Sequence, residues 1–597
     1  MGVYVSPGVY VREVDLSLYI PALSTTSVGM VGCSTKGPTN VRTYVTNQQQ
    51  FIDTFGEPDD TVGYEAYAAL QYLRRGRQLW FVRVVGDDAA AAEYTLQRLT
   101  AVADEVADDT PNGVLKVFTG TLAHFPVDPE SLTFTATIGA AEVTATDDGN
   151  SVVTGTGVTG TINYTTGDFS LTYTTEPDDT TDIVADYSYL QDGAAIAAVS
   201  EGEWGNNISV TVAAGTVSGN KVTVFYNDAA VEKFDNVNLD DTSANYIETK
   251  INGISDFVTV TVDAAVAAAS TELLDVVSTA VSLADGDTDA TGVTATEIIG
   301  SAWDTGLGQP TGLYLFAASS AVDINLLCAP GWYDPAVVNK LIEICEDRAD
   351  CMALIDPPDG LQPSEVVDWH NGTGTYNDHA AFNSSYAALQ WSWVKVYDSY
   401  NGQYVYTPPS GHTLAIYAYT DQNAESWFAP AGFNRGRVIS GIDVEYGPSR
   451  GEMDLLYGDG NAINPIIKHP KEGLVLWGQR TLQRAPTALD RVNVRRLLLY
   501  LRKVIATAAG YLVFEPNDSV TWKLFGHLVT PFLNDVRQRR GLYDFRVKCD
   551  ETTNTPDVID RNEMRAQIFL KPTKAAEFIQ VDLVLTATGA TFDEVLY

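Results

Sequence analysis

The feature that most constrains the fold is an alternation of buried strands and helices that appears twice along the chain. Residues 24–86 read as strand, helix, helix and strand, and residues 311–360 return to an α/β pattern with a helix that opens at Pro335. Between them, residues 120–190 form alternating strands and glycine-containing turns, as in a hairpin at 160–173. The sequence therefore predicts an α+β or α/β multidomain protein, whose discontinuous α/β core carries inserted all-β domains.

Charge divides the chain in a second way. The formal net charge is −40, but residues 87–300 hold five Lys and Arg against 35 Asp and Glu, a net of −30. Residues 461–574 hold 19 Lys and Arg against 11 Asp and Glu, a net of +8. Acidic surfaces resist nonspecific association, whereas a basic surface attracts something negative. We therefore expect the acidic part to be solvated and the basic part to face an acidic partner.

These changes of pattern predict seven segments, which is consistent with several domains of roughly 100–200 residues each. They are an N-terminal arm (1–20), the first part of the α/β core (21–86), an acidic β-rich insertion (87–199), a second β/α insertion (200–305), a second α/β part (306–445), a C-terminal inner core domain (446–585) and a C-terminal arm (586–597). Within the second insertion, residues 243–254 predict a helix.

Both ends of the chain have the composition of strands but are too short to bury themselves. The first 20 residues contain two short strand-like pieces separated by Ser6-Pro7-Gly8, and residues 578–585 predict a further strand. The N-terminal segment is either an edge strand of its own domain or an arm that adds to a neighbour's sheet. We predict the arm, with inter-subunit residues Val3, Tyr4, Val5, Val9, Tyr10 and Val11. The predicted C-terminal strand carries Ile579, Val581, Leu583 and Leu585.

Two amphipathic helices are predicted in the basic C-terminal part. The first has apolar residues at helical spacing over 494–508, and the second follows Asn517-Asp518, either of which can cap it. Their polar faces carry the residues predicted to face the acidic partner: Arg495, Arg496, Arg502, Lys503, Arg537, Arg539 and Arg540. A sequence pI near 4.3 and the lack of a recognisable nucleic-acid module favour a protein partner over a nucleic acid.

Patterns that are typical of catalysis or cofactor binding are incomplete. Residues 155–160 match a dinucleotide-binding glycine pattern, but a hairpin follows where a helix is required. Residues 285–289 begin like a calcium loop that lacks its Gly and its final Glu. Ser410 and His412 are close in sequence, which is not the geometry of a triad, and Asp356 fits a turn-capping carboxylate better than a catalytic one. We predict no enzyme and no catalytic, cofactor-binding or metal-binding residue.

Six motifs in the C-terminal third carry a family resemblance. They are Gly-Asn-Ala-Ile-Asn-Pro (460–465), Val-Leu-Trp-Gly-Gln-Arg-Thr-Leu (475–482), Val-Asn-Val-Arg-Arg-Leu (492–497), Val-Phe-Glu-Pro-Asn-Asp (513–518), Phe-Arg-Val-Lys-Cys-Asp (545–550) and Pro-Thr-Lys-Ala-Ala-Glu-Phe-Ile (572–579). In this order they resemble the core of contractile phage tail sheath proteins. The resemblance covers residues 1–86 and about 205–597, so the β-rich segment at 120–190 is an addition to the shared pattern.

The resemblance implies a structural subunit of a contractile tail that needs no cofactor. Such subunits are expected to form six-membered rings, stacked helically around a tail tube, whose N- and C-terminal arms add strands to neighbouring copies. The implied partners are the chain itself, the tail tube protein, and baseplate and tail terminator proteins, without direct nucleic-acid contact or membrane insertion. The basic helices would face the tube and the acidic insertions would lie outside.

The resemblance also implies a location and a mechanism. The subunit would assemble in the host cytoplasm into the sheath of a virion, and contraction would drive the tube through the host envelope for genome delivery. One alternative is the sheath of a contractile injection particle or a bacteriocin. A less favoured alternative is a glycan-binding tail protein whose β insertions recognise the host.

Overall fold

The computed structural model describes residues 26–108, 111–179, 181–269, 273–458 and 460–581. They belong to two compact units. The core unit contains the residues up to Ser34, Asn40–Val84 and the chain from Thr294 onward, and the second unit contains Thr35–Thr39 and Val85–Val293. The protein therefore has a mixed α/β multidomain fold, which is the broad fold class that its sequence predicts.

The core unit begins with three strands and two helices. They are Val28–Gly32 (β1), Thr43–Val45 (β2), Gln48–Phe55 (α1), Glu65–Leu73 (α2) and Leu79–Arg83 (β3). The first of the two helices predicted within residues 24–86 is confirmed as α1, and its start is fixed by Asn47, whose side chain accepts a hydrogen bond from the Gln50 N–H at 2.9 Å. Phe51 and Phe55 of this helix pack against Phe81 of β3, which attaches the helix to the sheet.

The second unit is built mainly from strands. They are Glu93–Asp108 (β4), Val117–Thr121 (β5), Thr133–Ile138 (β6), Ala141–Asp147 (β7), Val152–Gly155 (β8), Val158–Ile162 (β9), Asp168–Tyr173 (β10), Ile183–Ala198 (β11), Ile208–Ala214 (β12), Asn220–Tyr226 (β13), Ala229–Val237 (β14), Val258–Thr261 (β15) and Val277–Ser282 (β16), with short helices Ile247–Ile251 (α3) and Ala264–Ala269 (α4). The helix predicted at 243–254 is therefore wrong in extent, since residues 243–245 form a bend and turn before α3, Tyr246 bridges to Asn238, and residues 252–254 form a turn after α3.

Two sheets organise this unit. One has the order β15-β11-β6-β7-β8-β9-β10-β5, with β4 also paired to β11, and the other has the order β14-β13-β12-β16. The predicted boundary at 199/200 is wrong, because β11 pairs with β15 from beyond it and the two segments share one hydrophobic core. The 16-residue length of β11 is the cause, since its first half packs in one apolar cluster and its second half in another.

The chain then returns to the core unit. Its remaining strands are Leu326–Cys328 (β17), Met352–Ile355 (β18), Ala387–Trp391 (β19), Val394–Asp398 (β20), Gln403–Thr407 (β21), Asp443–Val444 (β22), Ile463–His469 (β23), Gly473–Leu476 (β24), Leu542–Lys548 (β25) and Gln567–Pro572 (β26). The helices are Ala295–Ile299 (α5), Pro335–Arg348 (α6), Pro363–Asn371 (α7), Pro409–Asn423 (α8), Gly432–Arg435 (α9), Arg450–Tyr457 (α10), Val492–Gly510 (α11), Ser519–Gln538 (α12) and Pro556–Ile559 (α13).

An eight-stranded sheet joins the two parts of the core unit, in the order β2-β3-β1-β17-β18-β19-β23-β24. The six inner strands are parallel, and an antiparallel strand closes each edge. Helices cover such a sheet because parallel strands require crossover connections. The helix predicted from Pro335 to about Arg348 is confirmed as α6, with Asp334 accepting a hydrogen bond from the Ala336 N–H at 2.8 Å.

Candidate assembly interface

The last sheet of the core unit has only two strands. β25 and β26 run antiparallel, with Phe545 opposite Leu570 and Val547 opposite Ile568. These four side chains pack against a cluster formed by α11 and α12. The opposite face presents Tyr543, which is 65% exposed, and Phe569, which is 55% exposed. A two-stranded sheet is marginal alone, so this packing is what stabilises it.

Both outer edges of this small sheet are open. Among the described residues, β25 and β26 pair only with each other, so the outer edge of each strand lacks a ladder partner. An edge strand presents a row of unpaired N–H and C=O groups and acts as a template for a strand from another chain. The sheet therefore offers two adjacent sites for strand addition.

The carboxylate of Glu577 helps to fix the segment after β26 to the body. Glu577 Oε1 accepts hydrogen bonds from Gln479 Nε2 at 2.9 Å and from Arg491 Nε at 2.8 Å. The Arg491 and Glu577 side chains are 22% and 17% exposed, so this ion pair is partly shielded from water. Phe578 is 84% exposed immediately after this anchor. Sequence reasoning missed the role of Glu577, although the residue belongs to the motif at 572–579.

The predicted terminal strands have different outcomes. Ile579 and Val581 are 81% and 72% exposed, and residues 578–581 lie outside any strand, so the strand predicted from 578 is not formed there within the single chain. A strand needs a neighbour for its backbone groups, and no described strand of the chain pairs with this segment. Leu583 and Leu585 lie outside the described residues. So does the predicted N-terminal arm with Val3, Tyr4, Val5, Val9, Tyr10 and Val11.

Two of the predicted partner-facing arginines are internal. Arg495 is buried with its guanidinium 4.0 Å from the ring centroid of Tyr386, and Arg496 is buried against Asp421, with 2.5 Å between Nη2 and Oδ2. Their placement on an exposed helix face is therefore wrong. Helical periodicity identified one apolar face of α11, but the sheet and α8 also cover the neighbouring face, which only the tertiary structure shows.

The other predicted basic residues lie closer to solvent. Lys503 is mostly buried and paired with Asp323, whereas Arg502 is exposed. Near the end of α12, Arg537 and Arg539 are both 46% exposed and have acidic neighbours within their own chain. Arg540, just after the helix, is exposed. The role of these exposed arginines toward a partner remains a prediction. The charges of Arg537 and Arg539 are already partly balanced by acidic side chains of their own chain.

The polar residues near α8 form a structural network. Asp356 accepts from Ser410 Oγ at 2.5 Å, from the Ser410 N–H at 2.8 Å and from the Gly331 N–H at 3.2 Å. It therefore caps the first turn of α8, although burial raises the pKa of this carboxyl to about 6. His412 contacts Thr407 instead, at 3.0 Å between Nε2 and Oγ1, and burial lowers its pKa to about 3. Serine, histidine and aspartate are thus not aligned as a catalytic triad.

Other patterns from the sequence also have structural positions. Residues 155–160 span the end of β8, a two-residue turn and the start of β9, with no helix to receive a phosphate. Within the described ranges, no group of three or more His, Cys, Asp or Glu could hold a metal ion. In the same ranges, no helix combines the length and apolar character needed to cross a bilayer.

An α/β core with an open-edged sheet and an exposed apolar C-terminal segment defines a structural subunit suited to contact with other chains. Two family models match it: the phage tail sheath protein central domain over residues 305–482 and the phage tail sheath C-terminal domain over 484–586. The chain belongs to the phage tail sheath protein family, whose members are structural and non-enzymatic. It is a tail sheath subunit.

Relatives support this assignment along the whole chain. The tail sheath protein of Vibrio phage KVP40 is 27% identical, with 99% of each chain covered. The tail sheath protein of Enterobacteria phage T4 is 34% identical over 51% of this chain and 46% of its own length. The crystal structure of a sheath tail protein from Desulfitobacterium hafniense has a TM-score of 0.51 at 10% identity, covers 91% of this chain and 94% of its own, and shows the fold alone.

Proposed function

We propose that this chain polymerises as six-membered rings stacked helically around a tail tube, joined by exchanged terminal strands. The observation that carries the proposal is the β25–β26 sheet, which has one face packed on α11 and α12 and, among the described residues, no strand partner at either outer edge. The arm at 1–20 of one copy and the strand at 578–585 of another would extend this sheet. Each added backbone hydrogen bond contributes about 0.5–1.5 kcal/mol net, so several bonds make a firm junction.

The exposed C-terminal segment supports exchange between copies. Glu577 holds the chain to its own body, and the apolar side chains of Phe578, Ile579 and Val581 immediately follow in solvent. Exposing three large apolar residues within four positions is unfavourable unless a partner covers them. A neighbouring copy would supply that cover together with the missing backbone partners.

The charge distribution supports a sheath whose basic C-terminal part faces the tube and whose acidic unit faces outward. The second unit lies within the strongly acidic segment, and residues 461–574 carry net positive charge. We propose that Arg502, Arg537, Arg539 and Arg540 contribute to the surface toward the tube, where complementary charge sets register. Arg495 and Arg496 are excluded from this surface because they are buried.

The proposed mechanism is release of stored conformational energy. The extended sheath is metastable, a baseplate signal lets the rings rotate and compress, and new contacts between subunits drive the tube through the host envelope. The exchanged strands keep the rings connected during this motion, because their backbone hydrogen bonds to the neighbouring sheet stay formed while the folded parts of the subunits move past one another.

Negative-stain electron microscopy of three purified chains tests the proposal: the full chain, a chain lacking residues 1–20, and a matched chain with residues 1–20 scrambled at constant composition. We expect hollow striated tubes only from the full chain, because the truncated chain lacks the strand that fills an open edge and the scrambled chain lacks the order of apolar side chains that fixes the strand in place. Dispersed monomers from all three over a range of salt and protein concentrations would contradict polymerisation. Tubes from all three would remove the N-terminal arm from its proposed role.

A further inference from the structure

The loop between α11 and α12 presents an apolar tip. Within ten residues, Tyr511, Val513 and Phe514 of the loop and Val520 in the first turn of α12 are 59%, 59%, 102% and 69% exposed. Phe514 also has a φ of 74°, in the left-handed region that a bulky residue rarely adopts. An exposed aromatic side chain held in an unfavourable backbone conformation is costly to the single chain, which points to a role in contact.

Hydrogen bonds hold this loop in place. Asn517 Nδ2 donates to the Glu563 carbonyl at 2.7 Å and Trp522 Nε1 donates to Asn517 Oδ1 at 2.8 Å. Thr521 Oγ1 donates to the Pro516 carbonyl at 2.7 Å. The aromatic tip is therefore positioned before any partner arrives, which lowers the entropic cost of binding.

A groove on the core unit offers a complementary surface. Its volume is about 460 Å³, and its apolar lining includes Met453, Tyr457, Trp477, Phe578 and Ile579. A benzene-sized group occupies an apolar cavity of roughly 150 Å³, so this groove has room for a phenyl ring and its neighbours. One wall consists of residues 575–579, which the ion pair between Glu577 and Arg491 holds in position.

The loop of one chain cannot reach the groove of the same chain. Arg491, which contacts the groove wall, precedes the first residue of α11, whereas the apolar tip follows the last. The 19 residues of α11 separate these points by about 28 Å. Contact between the tip and the groove therefore requires two copies, and a contact between unlike surfaces propagates into a ring or a helical series.

Charges agree with this pairing. Glu515 follows Phe514 in the tip, and Arg450 lies at the start of α10 on the groove lining. Both side chains are exposed, and among the described residues neither has an ion-pair partner. Asp454 lies one helical turn beyond Arg450. It would repel Glu515 if the tip shifted along the groove by one turn, so the charges favour the position in which Glu515 lies beside Arg450.

We propose that Phe514 of one subunit inserts into the groove lined by Met453, Tyr457 and Trp477 of a second copy, with Glu515 paired to Arg450. This contact rests on the proposed sheath function and adds a side-chain junction to the strand exchange. Phe514 is the anchor, and the charge pair sets its orientation.

Photo-crosslinking of the assembled full chain tests the contact. A benzophenone amino acid replaces Phe514, and mixing ¹⁴N and ¹⁵N chains before assembly separates cross-links between copies from those within one chain. We expect mixed-isotope cross-links to peptides that contain Met453, Tyr457 or Trp477. Cross-links elsewhere, or none between copies in assembled material, would overturn the contact but leave the sheath proposal standing. A wild-type chain that never assembles would overturn both.

Substitutions measure the same contact by sedimentation of the full chain. Phe514→Asn keeps a residue that tolerates positive φ and should weaken self-association about thirtyfold, the equivalent of about 2 kcal/mol for an interface anchor. Val217→Asn, at a position 86% exposed in the second unit, is the matched control and should have no effect. Arg450→Glu and Glu515→Arg should each weaken association, and the double variant should restore it. Equal effects of the anchor and control variants, or a double variant no better than the singles, would refute the pairing.

Discussion

The ion pair between Arg496 and Asp421 joins the central and C-terminal parts of the core unit and gives a quantitative prediction. It connects α11 to α8, and the two side chains are 4% and 2% exposed. Arg496→Ala leaves a carboxylate buried without its counter-charge, which costs about 3–5 kcal/mol of unfolding free energy. Arg496→Met combined with Asp421→Leu removes both desolvation costs and fills the space with apolar groups. We expect this double variant to be as stable as the wild type or more stable.

Hydrogen-exchange mass spectrometry in increasing urea is the appropriate assay, because a chain with two units does not unfold as one two-state system. Peptides from α8 and α11 report the core unit. Lys468→Ala is the control, since it breaks the surface pair with Asp443, whose partners are 52% and 45% exposed, and should cost less than about 1 kcal/mol. A loss of stability for Arg496→Ala no larger than for the control, or a double variant as unstable as the single one, would contradict a buried ion pair that carries this energy.

Three further predictions concern stability. Asn47→Ala removes the cap of α1 and should cost about 1 kcal/mol in urea unfolding, whereas Asn47→Ser should retain most of it. Gly411→Ala should lower the melting temperature, because its Cβ would lie 2.6 Å from the Ala68 Cα; Gly526→Ala, where nothing lies within 4 Å, should be neutral or stabilising. Burial raises the pKa of Glu65 from 4.5 to about 7. Between these two pH values the folded wild type therefore keeps a proton on Glu65 that the unfolded chain loses. Wild-type stability therefore falls as pH rises through this range, and Glu65→Gln should gain up to about 3 kcal/mol relative to wild type between pH 4.5 and 8 in denaturant titrations. A melting temperature unchanged by Gly411→Ala, equal losses for both Asn47 variants, or a pH-independent difference for Glu65→Gln would each contradict its prediction.

Local signals in the sequence predicted local structure well. The Asp334-Pro335 pair marks the start of α6, and Asp518, one of two candidate caps, accepts hydrogen bonds from Val520 and Thr521 at 2.9 Å each to begin α12. Such signals work because a cap and the groups it satisfies lie within four residues. The family motifs had the same advantage, because they are contiguous stretches.

Features that depend on distant residues could not be predicted in this way. The burial of Arg496 depends on Asp421, 75 residues earlier, and the role of Glu577 depends on Arg491, 86 residues earlier. The periodicity of one helix shows which face is apolar but not which polar residues a neighbouring element will cover. The pairing of β11 with β15 likewise depends on a strand that lies about 60 residues further along the chain.

Strand exchange between subunits would be visible by cryo-electron microscopy of assembled tubes, at a resolution that traces the backbone around β25 and β26. We expect this two-stranded sheet to gain a strand at each open edge, one from residues 1–20 and one from residues 578–585, each supplied by a different copy. Edges of β25 and β26 that remain unpaired in the assembled tube would contradict it, as would strands supplied by the same chain.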